Sequence, residues 1–393
     1  MATSARATAH ATALGTRRRI AILGSGFAAL TAVRELRRRR VEAEIVLVSP
    51  TARLTYLPSL IWVPAGLRRA SDLEVPLKGF FAAHGVTHLE ARVTGVTDAG
   101  RTIETTAGPL ANDVLLIASG GRYLRKLPGI EHAFIPCEGI AAAEAVRERL
   151  ARLETGRVAV GFAANPQEPS AVRGGPMFEF LFGLDTLLRR QGRRDAIDLV
   201  FFNPSREPGQ RLGARAVTGL LAQMDQRGIA THLGHKLVRF EADRVVSEGG
   251  EVEADLILFM PGLTGPAWLE DSCLPLSPGG FIAADATCAV EGLEDVYVAG
   301  DAGSFPGPDW MPKQAHQADL QAKAAARNIA AALQGRPADA TFKPELVCIV
   351  DTLDAGMLVF RNPRYNVTLP RLGVFHLLKR EFERHYLAAY RAA

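Results

Sequence analysis

The feature that most constrains this chain is Gly24-Ser25-Gly26-Phe27-Ala28-Ala29, set between the short run 19–23 and an Ala- and Leu-containing stretch. In such a fingerprint Gly24 permits a tight turn, Gly26 lets backbone approach a pyrophosphate, and Ala29 lets the next helix pack closely. The run 19–23 predicts a buried strand and 30–39 a helix, so the positive end of that helix faces the anion. A second strand over 43–48 completes a βαβ unit. Ser49 stands where such units usually carry an acid; its hydroxyl can still bond a ribose, more weakly than a carboxylate. Gly24, Gly26, Phe27, Ala28 and Ser49 are therefore the first candidate ligand contacts.

The remaining pattern predicts an α/β fold of two Rossmann-like dinucleotide-binding domains plus a small C-terminal segment. A loop covers 49–71 and a strand 112–119. After Ile130 the alternation restarts, with helices over 140–153 and 177–190 and strands over 157–162 and 197–202. The strands 254–260 and 295–299 are expected to return the chain to the first domain. The resulting division is a disordered extension (1–18), a discontinuous first domain (19–130 and 259–341), an inserted second domain (131–258), and a segment (342–393) that starts with a strand through Cys348 and ends in an amphipathic helix over 374–390. A chain of 393 residues has the length for this.

Composition removes several alternatives. The formal net charge is only +4, and much of the basic excess is the local run Arg37 to Arg40, expected as the solvated end of the first helix. No nucleic-acid surface is implied. Cys137, Cys273, Cys288 and Cys348 lie far apart without a CxxC pair, which argues against a zinc site or a disulfide scaffold. Residues 1–19 contain no acid and no apolar core, unlike a cleaved secretory signal. Without a run of roughly 18 apolar residues, membrane contact is expected to be peripheral.

Two further pieces turn a dinucleotide site into a flavin site. Leu115-Leu116-Ile117-Ala118-Ser119-Gly120 is like the strand ending in Ala-Thr-Gly of flavin disulfide reductases, and 296–303 delivers Asp301 into a glycine turn where it can accept ribityl hydroxyls. The other reading of Asp301 is a plain turn acid. Together the three pieces resemble the two-dinucleotide-domain flavoprotein superfamily, which binds FAD. The segments 56–63, 312–316 and 347–351, with Asp354 and Gly356, narrow the likeness to sulfide:quinone oxidoreductases and the flavin subunit of flavocytochrome c sulfide dehydrogenase. That resemblance implies FAD contacts at Pro58, Ser59, Val93, Ala118, Ser119, Gly120, Gly300, Asp301, Lys313, Gln314 and Ala315. It also implies a helix after Lys313 aimed at the pyrimidine end of the flavin, where dipole and lysine favour an anion.

The resemblance implies a reaction as well. Electrons would pass from a sulfur donor through FAD to a quinone or another acceptor, in a cytoplasmic homo-oligomer held peripherally on the inner face of a bacterial plasma membrane. Cys348, Cys137 and Glu179 are the implied catalytic residues. Cys348 falls at a family cysteine, Cys137 matches a third cysteine near the flavin edge, and no cysteine occupies the region of Gly174. Cys137 can partner Cys348 only if their Cα atoms come within roughly 7 Å. Ala141 and Arg211 stand where the family has histidines. The last helix, through Phe375, Lys379 and Phe382, resembles the membrane-docking and quinone-binding segment; the other reading is packing on the protein's own surface.

Type II NADH dehydrogenases, relatives in fold, carry a glycine-rich turn in the second domain. Here that stretch reads Val160-Gly161-Phe162-Ala163-Ala164-Asn165-Pro166, so the phosphate cradle is expected to be missing and NADH to be a poor donor. The alternatives are an NADH:quinone reductase and a flavin subunit that works with a cytochrome partner.

Overall fold

A computed structural model describes residues 18–391. The extension expected over 1–18 lies outside the described residues except for Arg18.

The fingerprint region folds as its pattern requires. Strand β1 (Arg19–Leu23) is buried after its first residue, helix α1 (Phe27–Arg38) follows, and β2 (Glu44–Ser49) runs parallel to β1. With β3 (Val86–Glu90) and β4 (Val114–Ile117) they form most of one parallel sheet. Ile22 sits opposite Leu47 on one side and Leu116 on the other. In the basic run ending α1, Arg38 and Arg40 are exposed, as expected, and Arg37 and Arg39 are half-buried. Arg38 and Arg39 pair with buried Glu35 at 2.9 and 2.8 Å, and Arg37 donates to backbone carbonyls of His84, Val41, Ala43 and Gly85.

The second unit consists of α2 (Ile140–Arg152), β5 (Gly156–Phe162), α3 (Gly175–Arg190), β6 (Ile197–Asn203), α4 (Ala214–Gln226), β7 (Ala230–Leu233) and β8 (Leu256–Met260). Its parallel sheet has the order β7-β6-β5-β8. This corrects the expectation for 254–260. That strand pairs with β5, Val160 opposite Leu258, and the return to the first sheet comes only with β9 (Val296–Val298), which pairs with β4. All five residues of β8 are buried; a run apolar on both faces suits the interior of either parallel sheet, so its pattern does not select between them.

Helix α5 (Ala315–Ala332) lies on α1. The C-terminal unit holds more than the expected strand and helix. An antiparallel sheet of β10 (Leu346–Asp351), β11 (Gly356–Arg361) and β12 (Asn366–Leu372) precedes α6 (Gly373–Arg391). Helix α6 buries Phe375, Leu387 and Tyr390, each contributing about 1.5–3 kcal/mol when fully desolvated. Its other face leaves Leu377 60 % and Phe382 59 % exposed. No described helix is long and apolar enough to cross a membrane.

Candidate active site

A cleft of about 1370 Å³ runs between the two parallel sheets and the C-terminal unit, above the roughly 300–1,000 Å³ of ordinary ligand pockets. The fingerprint forms one end. Gly24 has φ +106°, and a Cβ there would lie 2.5 Å from the Ala118 carbonyl oxygen, so only glycine fits between β1 and the end of β4. At Gly26 a Cβ would meet no protein atom within 4 Å. The space above the start of α1 is open to a phosphate, and the buried Ser119 Oγ and Gln314 Oε1 along the same cleft have no protein partner. These features fit a long polar cofactor such as FAD.

Most expected contacts line this cleft together: Gly24, Gly26, Phe27, Ala28, Ser49, Pro58, Val93, Ala118, Ser119, Gly120, Gly300, Asp301, Lys313, Gln314 and Ala315. Ser49 also donates to Thr51 O at 2.8 Å and lies 2.9 Å from His88 Nε2. Ser59 is a correction. It is buried and its hydroxyl donates to Glu383 of α6, which Arg68 also holds at 2.7 Å. Asp301 pairs with Arg173. Lys313 donates to Gly303 O at 2.7 Å and sits 3.7 Å from the centre of the Phe281 ring; burial pushes it down to about 8.

The last helix is tied to the first. Phe27, Tyr56 and Tyr386 form a triangle of rings with centres 5.8, 5.5 and 5.6 Å apart, within the range of favourable aromatic pairs. Asp319 of α5 accepts from Thr31 of α1 at 2.6 Å and from Tyr386 at 3.4 Å.

Toward the other end the cleft is lined by Cys348, Cys137, Glu179, Lys379 and Phe382. Phe375 is the second correction: it is buried in the core and does not line the cleft, because the helical turn carries Leu378, Lys379 and Phe382 to that side instead. Both cysteines are free, and burial pushes each up to about 12, so at neutral pH they rest as thiols. Cys348 lies against the start of α3, its Sγ 3.6 Å from where a Cβ on Gly175 would stand.

Glu179 forms a buried ion pair with Lys379 and accepts from the Asp351 backbone at 2.9 Å. Desolvation outweighs the lysine's pull and lifts Glu179 to about 7. For Lys379 burial works downward, but Glu179 and Asp351 carry it above its ordinary value, so the lysine keeps its proton. Behind this pair Asp351 accepts from Trp62 Nε1 at 3.0 Å and lies 2.7 Å from His376 Nδ1. Sequence reasoning gave Trp62, Asp351 and His376 no role; Trp62 and Asp351 stood inside quoted motifs, while His376 carried no signal.

The turn after β5 lines the same cleft through Phe162, Ala163 and Ala164. A Cβ at Gly174 would lie 2.5 Å from the Phe162 ring, and Asn165 Nδ2 donates to Leu263 O and Gly279 O at 2.9 and 3.0 Å.

Comparison with known proteins agrees with this geometry. The pyridine nucleotide-disulphide oxidoreductase family matches residues 202–322. The fold is that of the FAD-binding pyridine nucleotide-disulphide oxidoreductases. The sulfide:quinone oxidoreductase of Aquifex aeolicus superposes with a TM-score of 0.87 at 20% identity, over 95% of this chain and 92% of that one. In sequence, a type II NADH:quinone oxidoreductase of Staphylococcus saprophyticus is 22% identical over 82% of this chain and 84% of its own length. A demethylphylloquinone reductase of Synechocystis is 25% identical over 82% and 81%. The cofactor of this flavoprotein is FAD and its chemistry is oxidoreduction.

Proposed function

We propose that this flavoprotein moves electrons from a sulfur donor at the Cys348 face to a quinone admitted beside Phe382 and Lys379. The observation that carries the reading is the single cleft lined by Cys348, Cys137 and Glu179 at one end and by the fingerprint at the other, with α6 forming the wall between them and solvent. FAD supplies two-electron acceptance and onward delivery. The chain's own residues hold the pyrophosphate at the start of α1, wall the site with the Phe27-Tyr56-Tyr386 triangle, and offer a proton for a reduced quinone from the coupled Glu179–Lys379 pair, in which Lys379 is protonated.

The sequence relatives favour a second reading, in which NADH is the donor. Against it stands the turn after β5, which keeps one glycine, is interrupted by Pro166, and has Asn165 bonded to Leu263 O and Gly279 O. The exposed apolar face of α6, with Arg380 and Arg384 beside it, supports peripheral attachment to anionic lipid. A homo-oligomer and a cytochrome partner belong to the same reading and are tested by solution mass and copurification.

Anaerobic stopped-flow mixing with sulfide and with NADH tests the choice. Sulfide is expected to bleach the flavin, NADH to do so slowly or not at all, and Cys348→Ser to abolish the sulfide reaction. Cys137→Ser should slow it by orders of magnitude if the two cysteines work as a pair. Bleaching by NADH within milliseconds, or an unchanged Cys348→Ser protein, would sink the sulfur-donor reading.

A further inference from the structure

Behind the Glu179–Lys379 pair lies a second, deeper pair. Asp351 at the end of β10 and His376 near the start of α6 are both buried, and Asp351 Oδ2 lies 2.7 Å from His376 Nδ1. The other carboxylate oxygen accepts from Trp62 Nε1 at 3.0 Å and from the Leu353 backbone at 2.8 Å. Trp62 is itself fully buried, and its ring meets the His376 ring edge-on with centres 5.8 Å apart. A carboxylate bonded through both oxygens in a dry site is fixed in orientation.

The two pairs are joined. The Asp351 N–H donates to Glu179 Oε1 at 2.9 Å, and Lys379, three residues after His376 on α6, donates to Ile349 O at 3.2 Å. Two buried acids thus meet two buried bases, the arrangement in which such charges are tolerated. The charge of Asp351 acts upward on Lys379 and on Glu179 alike. Cys348 of β10 and Cys137 also face the pair, both as thiols at neutral pH. Arg68, over the Trp62 ring at 4.9 Å, is held by Glu383.

We propose that Asp351, clamped by Trp62 and His376, is a positioning residue for proton delivery to the quinone: its N–H aims Glu179, and its carboxylate is the second buried counter-charge of Lys379. The inference rests on the reading in which the Glu179–Lys379 pair protonates a reduced quinone, and extends it to the groups that orient the pair. In that step two electrons and one proton come from the reduced flavin, the pair gives the second proton to a quinone oxygen, and solvent returns it. Without the Asp351 charge the pair loses its proton at lower pH, so the alkaline limb of the step moves down.

The test is anaerobic stopped-flow mixing of FAD-loaded protein, reduced with stoichiometric dithionite, with decylubiquinone over a series of pH values, so that no natural donor enters. Asp351→Asn is expected to slow flavin reoxidation about tenfold to a hundredfold and to move its alkaline limb down by about one pH unit or more. Asp351→Glu keeps the charge and should keep the limb at its wild-type pH even where the rate falls. Trp62→Phe removes a clamp but no charge; it should slow the step with the limb unmoved, and it keeps the proposal testable where Asp351→Asn fails to fold. In Asp351→Asn the Trp62 indole N–H resonance should also move upfield as its charge-assisted bond weakens. An Asp351→Asn limb at the wild-type pH, equal shifts in Asp351→Asn and Asp351→Glu, or a Trp62→Phe protein with the wild-type rate overturns the proposal. Failure of the underlying reading looks different and removes the proposal with it: quinone does not reoxidise the wild-type flavin, or does so at a rate independent of pH.

Discussion

Substituting the two fingerprint glycines separately should dissociate folding from cofactor binding. At Gly26 an added Cβ meets no protein atom within 4 Å, and the backbone (φ −89°) is open to any residue. Gly26→Ala should leave the apoprotein's thermal melting unchanged. The same methyl projects into the space assigned to the pyrophosphate and should disturb one or more backbone N–H bonds to a charged oxygen, each contributing about 1.5–3 kcal/mol. That corresponds to roughly 10- to 150-fold weaker FAD binding. At Gly24 the arithmetic differs, because φ is +106° and the Cβ would lie 2.5 Å from the Ala118 carbonyl. Strained backbone alone costs on the order of 1–3 kcal/mol, and the clash must also push β1 and β4 apart, so Gly24→Ala should lower both melting temperature and FAD content. Apoprotein melting and FAD fluorescence quenching, measured on the same preparations, separate the two effects. A Gly26→Ala protein with wild-type FAD affinity would show that the motif is a turn and no cradle.

Two further outcomes follow from charge and exposure. Asp185 is fully buried and bonded by Arg189, Arg194 and Arg227, which hold its carboxyl below the usual range against the opposing effect of burial. Asp185→Asn should therefore cost about 3–5 kcal/mol in urea unfolding at pH 7. Because the native value is depressed, the wild-type advantage exists above the unfolded value and shrinks as pH falls through the lower native one; a deficit that grows with acidification would contradict this. On α6, Leu377→Glu with Phe382→Glu should abolish cosedimentation with anionic vesicles while sparing the melting temperature, since both side chains are more than half exposed. Truncating the helix is a poorer test, as it also removes Lys379 from Glu179 and Tyr386 from Phe27.

The sequence made legible whatever depends on near neighbours along the chain. Gly24 and Gly26 declare a turn between a strand and a helix, and the periodicity places that helix within a few residues. Partner choice across the chain was not legible in this way. Ser59 is diverted from the cleft by Glu383, and Asp351 gains its role only when Trp62 and His376 are brought to it. The strand ending at Met260 reads equally well in either parallel sheet, and only its pairing with β5 decides. On α6 the periodicity identified an amphipathic helix but not its rotation, so Lys379 and Phe382 fell at the cleft and Phe375 in the core.

The ring triangle of Phe27, Tyr56 and Tyr386 also sets an order of events during synthesis. The fingerprint is translated long before the helix whose side chain completes its wall. At about 5–20 residues per second, roughly 20–70 s pass between making Phe27 and making Tyr386. For most of that interval β4 also lacks its sheet mate β9. The nascent chain therefore holds an unwalled half-site until Tyr386 has been made, and the helix carrying it completes the wall.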